Sequence, residues 1–166
     1  ESLYPSNTDM MRKAKLQGAV ITQVHPYSGN KDLLETDLGH AKAMPVDAAL
    51  GTLDCLEWTY INPIQIGMWH KLLNNDIVLI PVGGEDSITD LHRGKQIGSV
   101  RTYAKVDGPL TIGSWLNAVR KGRTYFSTGP ILDLRINGTL PGSIIRLPAA
   151  GGTVTIEGSV QSIAAL

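Results

Sequence analysis

Residues 20–28, Val-Ile-Thr-Gln-Val-His-Pro-Tyr-Ser, decide the expected fold of this chain. The apolar, β-branched run that starts at Val20 predicts a buried strand, and Pro26 ends that strand directly after His25. In α/β folds, ligands and metal ions collect at the carboxyl ends of parallel strands. The stretch therefore predicts a strand that presents His25 as a candidate ligand.

A second stretch also combines an apolar, strand-like run with a polar candidate ligand at its end. Residues 77–82, Ile-Val-Leu-Ile-Pro-Val, run into Gly-Gly-Glu-Asp at 83–86. Each candidate taken alone has an ordinary structural interpretation, since histidines are often hydrogen-bonded structural residues and an aspartate after glycines is common turn chemistry. Only the pair, His25 and Asp86 on strands of one sheet, favours a metal site.

The first half of the chain alternates between helix and strand patterns. The pattern predicts, in order, a helix over 7–16 closed by Gly18, a strand at 19–24, a helix from Pro45 to Leu50, an alternating strand over 53–60, a helix over 63–73 and a strand at 77–82. This order is typical of an α/β protein with parallel strands.

The second half changes character. A strand over 100–106 and a helix through Trp115 to Gly122 follow a Gly-rich loop, and β-type runs separated by turn pairs begin at Thr124. Three strands are predicted there, at 131–136, 143–147 and 153–160. They resemble the beginning of an antiparallel β-sandwich, which places a domain boundary between 129 and 130 and predicts domains 1–129 and 130–166.

Composition narrows the classes of partner. The 166 residues carry 15 basic and 15 acidic side chains, so the sequence has no electrostatic footprint for nucleic acid. No apolar run approaches the roughly 20 residues that span a bilayer, and we expect neither a nucleic acid nor a membrane as partner. The compartment stays undetermined, because Cys55 is the only cysteine.

The sequence also predicts that the chain is part of something longer. It begins without a methionine, and three parallel strands cannot close a barrel. Unfinished sheet edges predict missing parts of the same polypeptide or a partner chain that covers them.

Further polar residues near the two strand ends are candidates for lining a pocket: Glu57, Glu85 and His92. Glu57 could equally be an exposed glutamate at a sheet edge. Because adjacent residues point apart, Asp86 is preferred over Glu85 as a ligand. His70 lies on a predicted helix beside a tryptophan, and we expect it to be a surface or packing residue.

Other catalytic motifs are missing from the sequence. The nucleophile elbow Gly-x-Ser-x-Gly does not occur, and residues 83–87 have no Gly-Lys-Ser/Thr continuation of the kind that binds phosphates. Hydrolysis by metal-activated water is therefore the enzymatic activity that the residues favour.

Six segments taken together resemble the PHP superfamily, and more narrowly the CehA/McbA group of PHP-type metallohydrolases. The resemblance runs over nearly the whole chain and rests on Ala-Val-Ile-Thr-Gln-Val-His-Pro at 19–26, Met-Pro-Val-Asp at 44–47, Leu-Asp-Cys-Leu-Glu at 53–57, Trp-His-Lys-Leu-Leu-Asn at 69–74, Gly-Gly-x-Asp-Ser at 83–87 and Thr-Tyr-Phe-Ser-Thr-Gly-Pro at 124–130.

The resemblance implies the C-terminal part of a distorted seven-stranded (β/α) barrel, followed by the beginning of an immunoglobulin-like β-sandwich. It implies that His25 and Asp86 bind a divalent metal (zinc, manganese or iron) and are catalytic. Glu57 matches a carboxylate often found after the following strand. The family's His-x-His motif would precede Glu1, and Ile88 stands where many members have a further histidine.

The expected function is metal-dependent hydrolysis of an ester, amide or phosphoester in a small-molecule substrate, with the 166-residue piece alone expected to be inactive. The alternative is a non-catalytic module that binds carbohydrate or protein. In that case the recognition residues would be aromatic, although their spacings also suit a core: Trp58, Tyr60, Trp69 and Trp115.

Overall fold

The computed structural model describes residues 5–26, 43–61, 63–87 and 96–163. It divides into two compact units, Glu1–Pro81 and Val82–Leu166. The described residues form four helices and seven strands, in the order α1 (Asn7–Leu16), β1 (Thr22–Gln23), α2 (Met44–Ala49), β2 (Cys55–Trp58), α3 (Pro63–Leu73), β3 (Ile80–Gly83), β4 (Arg101–Ala104), α4 (Ile112–Arg120), β5 (Thr124–Ser127), β6 (Ile131–Ile136) and β7 (Ile156–Gln161).

A three-stranded sheet, in the order β1-β2-β3, organises the first unit. β1 pairs with β2 in parallel, with Thr22 opposite Cys55 and Gln23 opposite Leu56. This confirms the predicted parallel pairing of these two strands. β1 is shorter than the predicted 19–24, because only two of its residues form ladder pairs with β2.

β2 is the centre of this unit, and the prediction that it alternates between buried and exposed residues is wrong. All four of its residues are buried. A strand with a neighbour on each edge and covered faces has no solvent side, so alternation is lost. The side chains that form the core around it include Met44, Ala48, Leu53, Cys55, Leu56, Trp58, Met68, Leu72, Leu79 and Ile80.

α3 begins at Pro63, as predicted. Gln65, Met68 and Leu72 are its buried residues, whereas Ile66 is only partly buried. The side-chain amide of Gln65 donates a 2.7 Å hydrogen bond to the backbone carbonyl of Glu57. A buried amide with a satisfied donor can lie on the core side of a helix.

In the second unit, β4 and β5 form an antiparallel pair, with Arg101 opposite Ser127 and Ala104 opposite Thr124. α4 lies between them in sequence and begins with a capping box, in which Thr111 and Ser114 satisfy each other's backbone N–H groups.

β6 and β7 form a second antiparallel ladder, from Ile131 opposite Gln161 to Ile136 opposite Ile156. The strand at 131–136 is confirmed, and the strand expected at 153–160 is displaced to Ile156–Gln161. The strand predicted at 143–147 is wrong, since residues 143–148 are not in a strand. Pro148 has no N–H to donate, and a Pro-Gly turn immediately precedes this segment.

The described residues therefore confirm a mixed α/β chain with small sheets. They contain no closed barrel, which is compatible with part of one. The predicted boundary between 129 and 130 lies inside the second compact unit and stays a prediction, as does the β-sandwich.

Candidate functional site

His25 lies two residues after the end of β1, and its backbone has the left-handed φ of +47°. A positive φ is uncommon for residues other than glycine, and such conformations persist only where the surroundings hold them. The side chain is about half exposed, with 49% of its area accessible. The predicted strand end thus presents an accessible imidazole on a constrained backbone.

The constraint on His25 comes from Glu57, in the middle of the neighbouring strand β2. Glu57 Oε2 accepts a 2.8 Å hydrogen bond from the backbone N–H of His25 and lies 3.3 Å from the ring atom Nδ1. Only 10% of the glutamate side chain is accessible. The interpretation of Glu57 as an exposed edge residue is therefore wrong, and one carboxylate oxygen touches both the backbone and the ring of the candidate ligand.

Asp54 makes the matching contact at the other end of β1. Its Oδ2 accepts a 2.8 Å hydrogen bond from the backbone N–H of Ile21, and its Oδ1 pairs with Lys15 at 2.9 Å. Two carboxylates from the β2 segment therefore hold the backbone on either side of the short strand β1. Only the one at Glu57 also reaches a titratable ring.

Asp86, the second predicted ligand, follows β3 after two intervening residues and is exposed. Like His25 it has a positive φ, +50°, without being a glycine. The two predicted ligands thus share an unusual backbone conformation, together with Asp76 and Asn137, which lie in turns.

Glu85 has a structural role that the sequence did not predict. Its Oε1 accepts a hydrogen bond from the backbone N–H of Gly98 at 2.6 Å, and its Oε2 accepts one from Val100 at 3.2 Å. These donors, the one at Gly98 foremost, lower the pKa of the Glu85 carboxyl. The Glu85 carboxylate thus links the residue pair that follows β3 to the backbone just before β4.

The structure brings His25 and Glu57 together, while Asp86 and Glu85 belong to the other compact unit, so the convergence of His25 and Asp86 stays a prediction. His92 lies outside the described residues. Within the described part of the chain, no group of three or more His, Cys, Asp or Glu side chains is arranged to hold a metal ion.

His70 lies exposed on α3, with its ring centroid 5.7 Å from that of Trp69. This agrees with the expected surface or packing role. Trp69 also packs edge-on against Trp58 at 6.0 Å and donates a 2.8 Å hydrogen bond to the carbonyl of Leu79. Of the four aromatic residues considered for recognition, Trp58 therefore belongs to the core, and the partly buried Trp69 packs against it.

A cavity of about 460 Å³ lies in the second unit. Its walls include Leu132 and Leu134 of β6 and the parallel rings of Tyr103 and Tyr125, whose centroids are 4.9 Å apart. The Tyr125 hydroxyl also accepts a hydrogen bond from the Leu132 N–H at 3.1 Å. An apolar cavity of this size falls in the range of small-molecule sites.

Sequence reasoning missed one buried carboxylate altogether. Asp47 of α2 is 2% exposed and accepts hydrogen bonds from the Thr8 hydroxyl at 2.6 Å and the Thr52 hydroxyl at 3.5 Å. It ties α1 to α2 and is satisfied by neutral hydroxyls. The partners lie 39 and 5 residues away, and no local pattern in the sequence indicates the longer pairing.

Comparison of the chain with protein-family models, with curated proteins and with solved structures gives no match. Among the helices that the structure describes, none is long and apolar enough to cross a membrane.

Proposed function

We propose that the protein is a metal-dependent hydrolase of the PHP type, which uses His25 and Asp86 as ligands of a divalent metal ion. The observation that carries the proposal is the half-exposed imidazole of His25 after β1, with the buried Glu57 carboxylate against its Nδ1. Histidines that bind metals almost always have their second ring nitrogen against a carboxylate, a carbonyl or water. The donor chemistry of this pair therefore fits a metal ligand and its support.

His25 supplies a neutral imidazole nitrogen, which suits zinc and iron, and Asp86 supplies a carboxylate, which also suits manganese. A divalent ion held by these two residues would supply an activated water for the hydrolysis of an ester, amide or phosphoester. Asp86 would also orient or deprotonate that water. The C-terminal part of a (β/α) barrel followed by the start of a β-sandwich is the architecture that goes with this proposal.

Metal content tests the proposal. The chain is incubated with zinc, dialysed, and its bound metal measured for the wild type, His25→Ala, Asp86→Ala and the matched control His70→Ala. We expect stoichiometric zinc in the wild type and in His70→Ala, and loss in the other two variants. Unchanged stoichiometry in both His25→Ala and Asp86→Ala would contradict the proposal.

A non-catalytic interaction module is the second candidate, and the cavity beside Tyr103 and Tyr125 favours it. Stacked tyrosines bind carbohydrates and apolar groups while keeping a polar end exposed. This function needs no metal at His25. Two results together would favour the interaction module over the hydrolase. The chain would retain zinc only nonspecifically, and a ligand would perturb the signals of the Tyr103 ring.

A further inference from the structure

We propose that Glu57 is the positioning residue that selects which ring nitrogen of His25 meets the metal; this rests on the proposed function. Its Oε2 lies 3.3 Å from Nδ1 while accepting the His25 backbone N–H at 2.8 Å. Because a carboxylate oxygen can only accept a hydrogen bond, we expect a neutral His25 ring to carry its proton on Nδ1, the nitrogen that faces Glu57. The nitrogen with the lone pair is then Nε2.

The same oxygen sets the direction of the ring. Because it is bonded to the backbone N–H, it ties the ring to the left-handed backbone of residue 25, where φ is +47°. Glu57 itself is held in place, since it lies in β2, is nearly buried, and its backbone carbonyl accepts the Gln65 amide at 2.7 Å. A fixed acceptor pre-organises the ligand, which raises metal affinity without the glutamate touching the metal.

The competing explanation is that Glu57 only stabilises the fold and does not position the His25 ring. Asp54 provides a control for this explanation. Asp54 also extends from the β2 segment to a backbone N–H beside β1, but the residue that it holds is Ile21. An alanine at either position removes the acceptor of the backbone N–H. Only the exchange at Glu57 also removes the oxygen beside the imidazole Nδ1.

The test is the tautomer of His25, read from the ring nitrogen shifts by NMR in the metal-free chain at a pH where the ring is neutral. We expect the proton on Nδ1 in the wild type and in Asp54→Ala, and a shift towards Nε2–H in Glu57→Ala. A wild-type ring with its proton on Nε2 overturns the proposal, and this measurement does not depend on any variant folding. An unchanged tautomer in folded Glu57→Ala overturns it as well.

Zinc titration of the same three proteins then separates this inference from the proposed function. We expect Glu57→Ala to bind zinc about 10–100-fold more weakly than the wild type, and Asp54→Ala to bind it within about twofold. Equal zinc affinity of the wild type and Glu57→Ala overturns the positioning role. If the wild type binds no zinc although the tautomer responds as expected, the proposed function fails and the control of the ring by Glu57 stands.

Discussion

At the scale of single residues, three carboxylates of the described part of the chain accept backbone N–H groups. Asp54 holds Ile21, Glu57 holds His25, and Glu85 receives donors from the end of the loop that follows it. Charged acceptors make the stronger hydrogen bonds, so a few of them can fix short strands that have little ladder of their own. The same device at Glu57 gives the histidine its orientation.

Glu85 predicts a pH dependence with a definite sign. Its pKa is lowered in the folded chain, chiefly by the Gly98 N–H, so its contribution to stability is present above the ordinary glutamate pKa of 4.5 and is lost as pH falls through the lower folded value. Urea unfolding should show Glu85→Gln less stable than the wild type at pH 7, with the difference shrinking at pH 3. The exposed Glu157→Gln is the control, and a difference that is constant with pH would contradict the assignment.

Cys55 is predicted to be an unreactive thiol. It is fully buried, and desolvation raises its pKa to about 11, although a hydrogen bond with Thr22 opposes the shift. Since the thiolate is the nucleophile, alkylation by iodoacetamide at pH 8 should be slow in the folded chain and fast in urea. Equal rates in the two conditions would show that Cys55 is accessible.

At the scale of elements, the sequence predicted what depends on local pattern. Pro63 begins α3, and the alternating apolar residues of 131–136 form β6. It could not predict what depends on partners. The segment 143–147 has a strand-like composition but is not a strand. β1 has only two residues, because only Thr22 and Gln23 pair with residues of β2.

The same distinction holds for the candidate site. The strand-ending Pro26 indicated His25 from local sequence alone, whereas the contact of His25 with Glu57 joins residues 32 apart. Its geometry depends on the parallel register of β1 and β2, which no local pattern encodes. The sequence favoured Asp86 over Glu85 as a ligand, but it could not predict the hydrogen bonds that Glu85 accepts from Gly98 and Val100.

Two glycines give a paired prediction about elements. A Cβ on Gly83, at the end of β3, would lie 2.8 Å from Val100 Cγ1 and 3.0 Å from Phe126 Cβ, whereas one on Gly67 in α3 meets nothing within 4 Å. We expect Gly83→Ala to destabilise the chain by about 1–3 kcal/mol through overpacking. Gly67→Ala should stabilise it by about 0.5–1 kcal/mol through helix propensity. Chemical unfolding checks both, and a neutral Gly83→Ala would show that the contact with β4 and β5 is loose.

At the scale of the whole molecule, the two proposed ligands belong to different compact units. The first unit contains His25 and Glu57, which contact each other. The second unit contains Asp86 and the neighbouring Glu85, which accepts a hydrogen bond from Gly98. The central claim is that both ligands bind one cation. If this claim is right, replacing His25 must change how Asp86 responds to a bound metal ion.

Paramagnetic broadening by manganese measures that dependence directly. Substoichiometric Mn²⁺ should broaden the backbone amide signals of both His25 and Asp86 by NMR, and leave that of Asp76, another exposed aspartate with positive φ, sharp. In His25→Ala, the broadening at Asp86 should disappear. Broadening at Asp86 that persists without the imidazole, or that is equal at Asp76, would contradict a shared metal site.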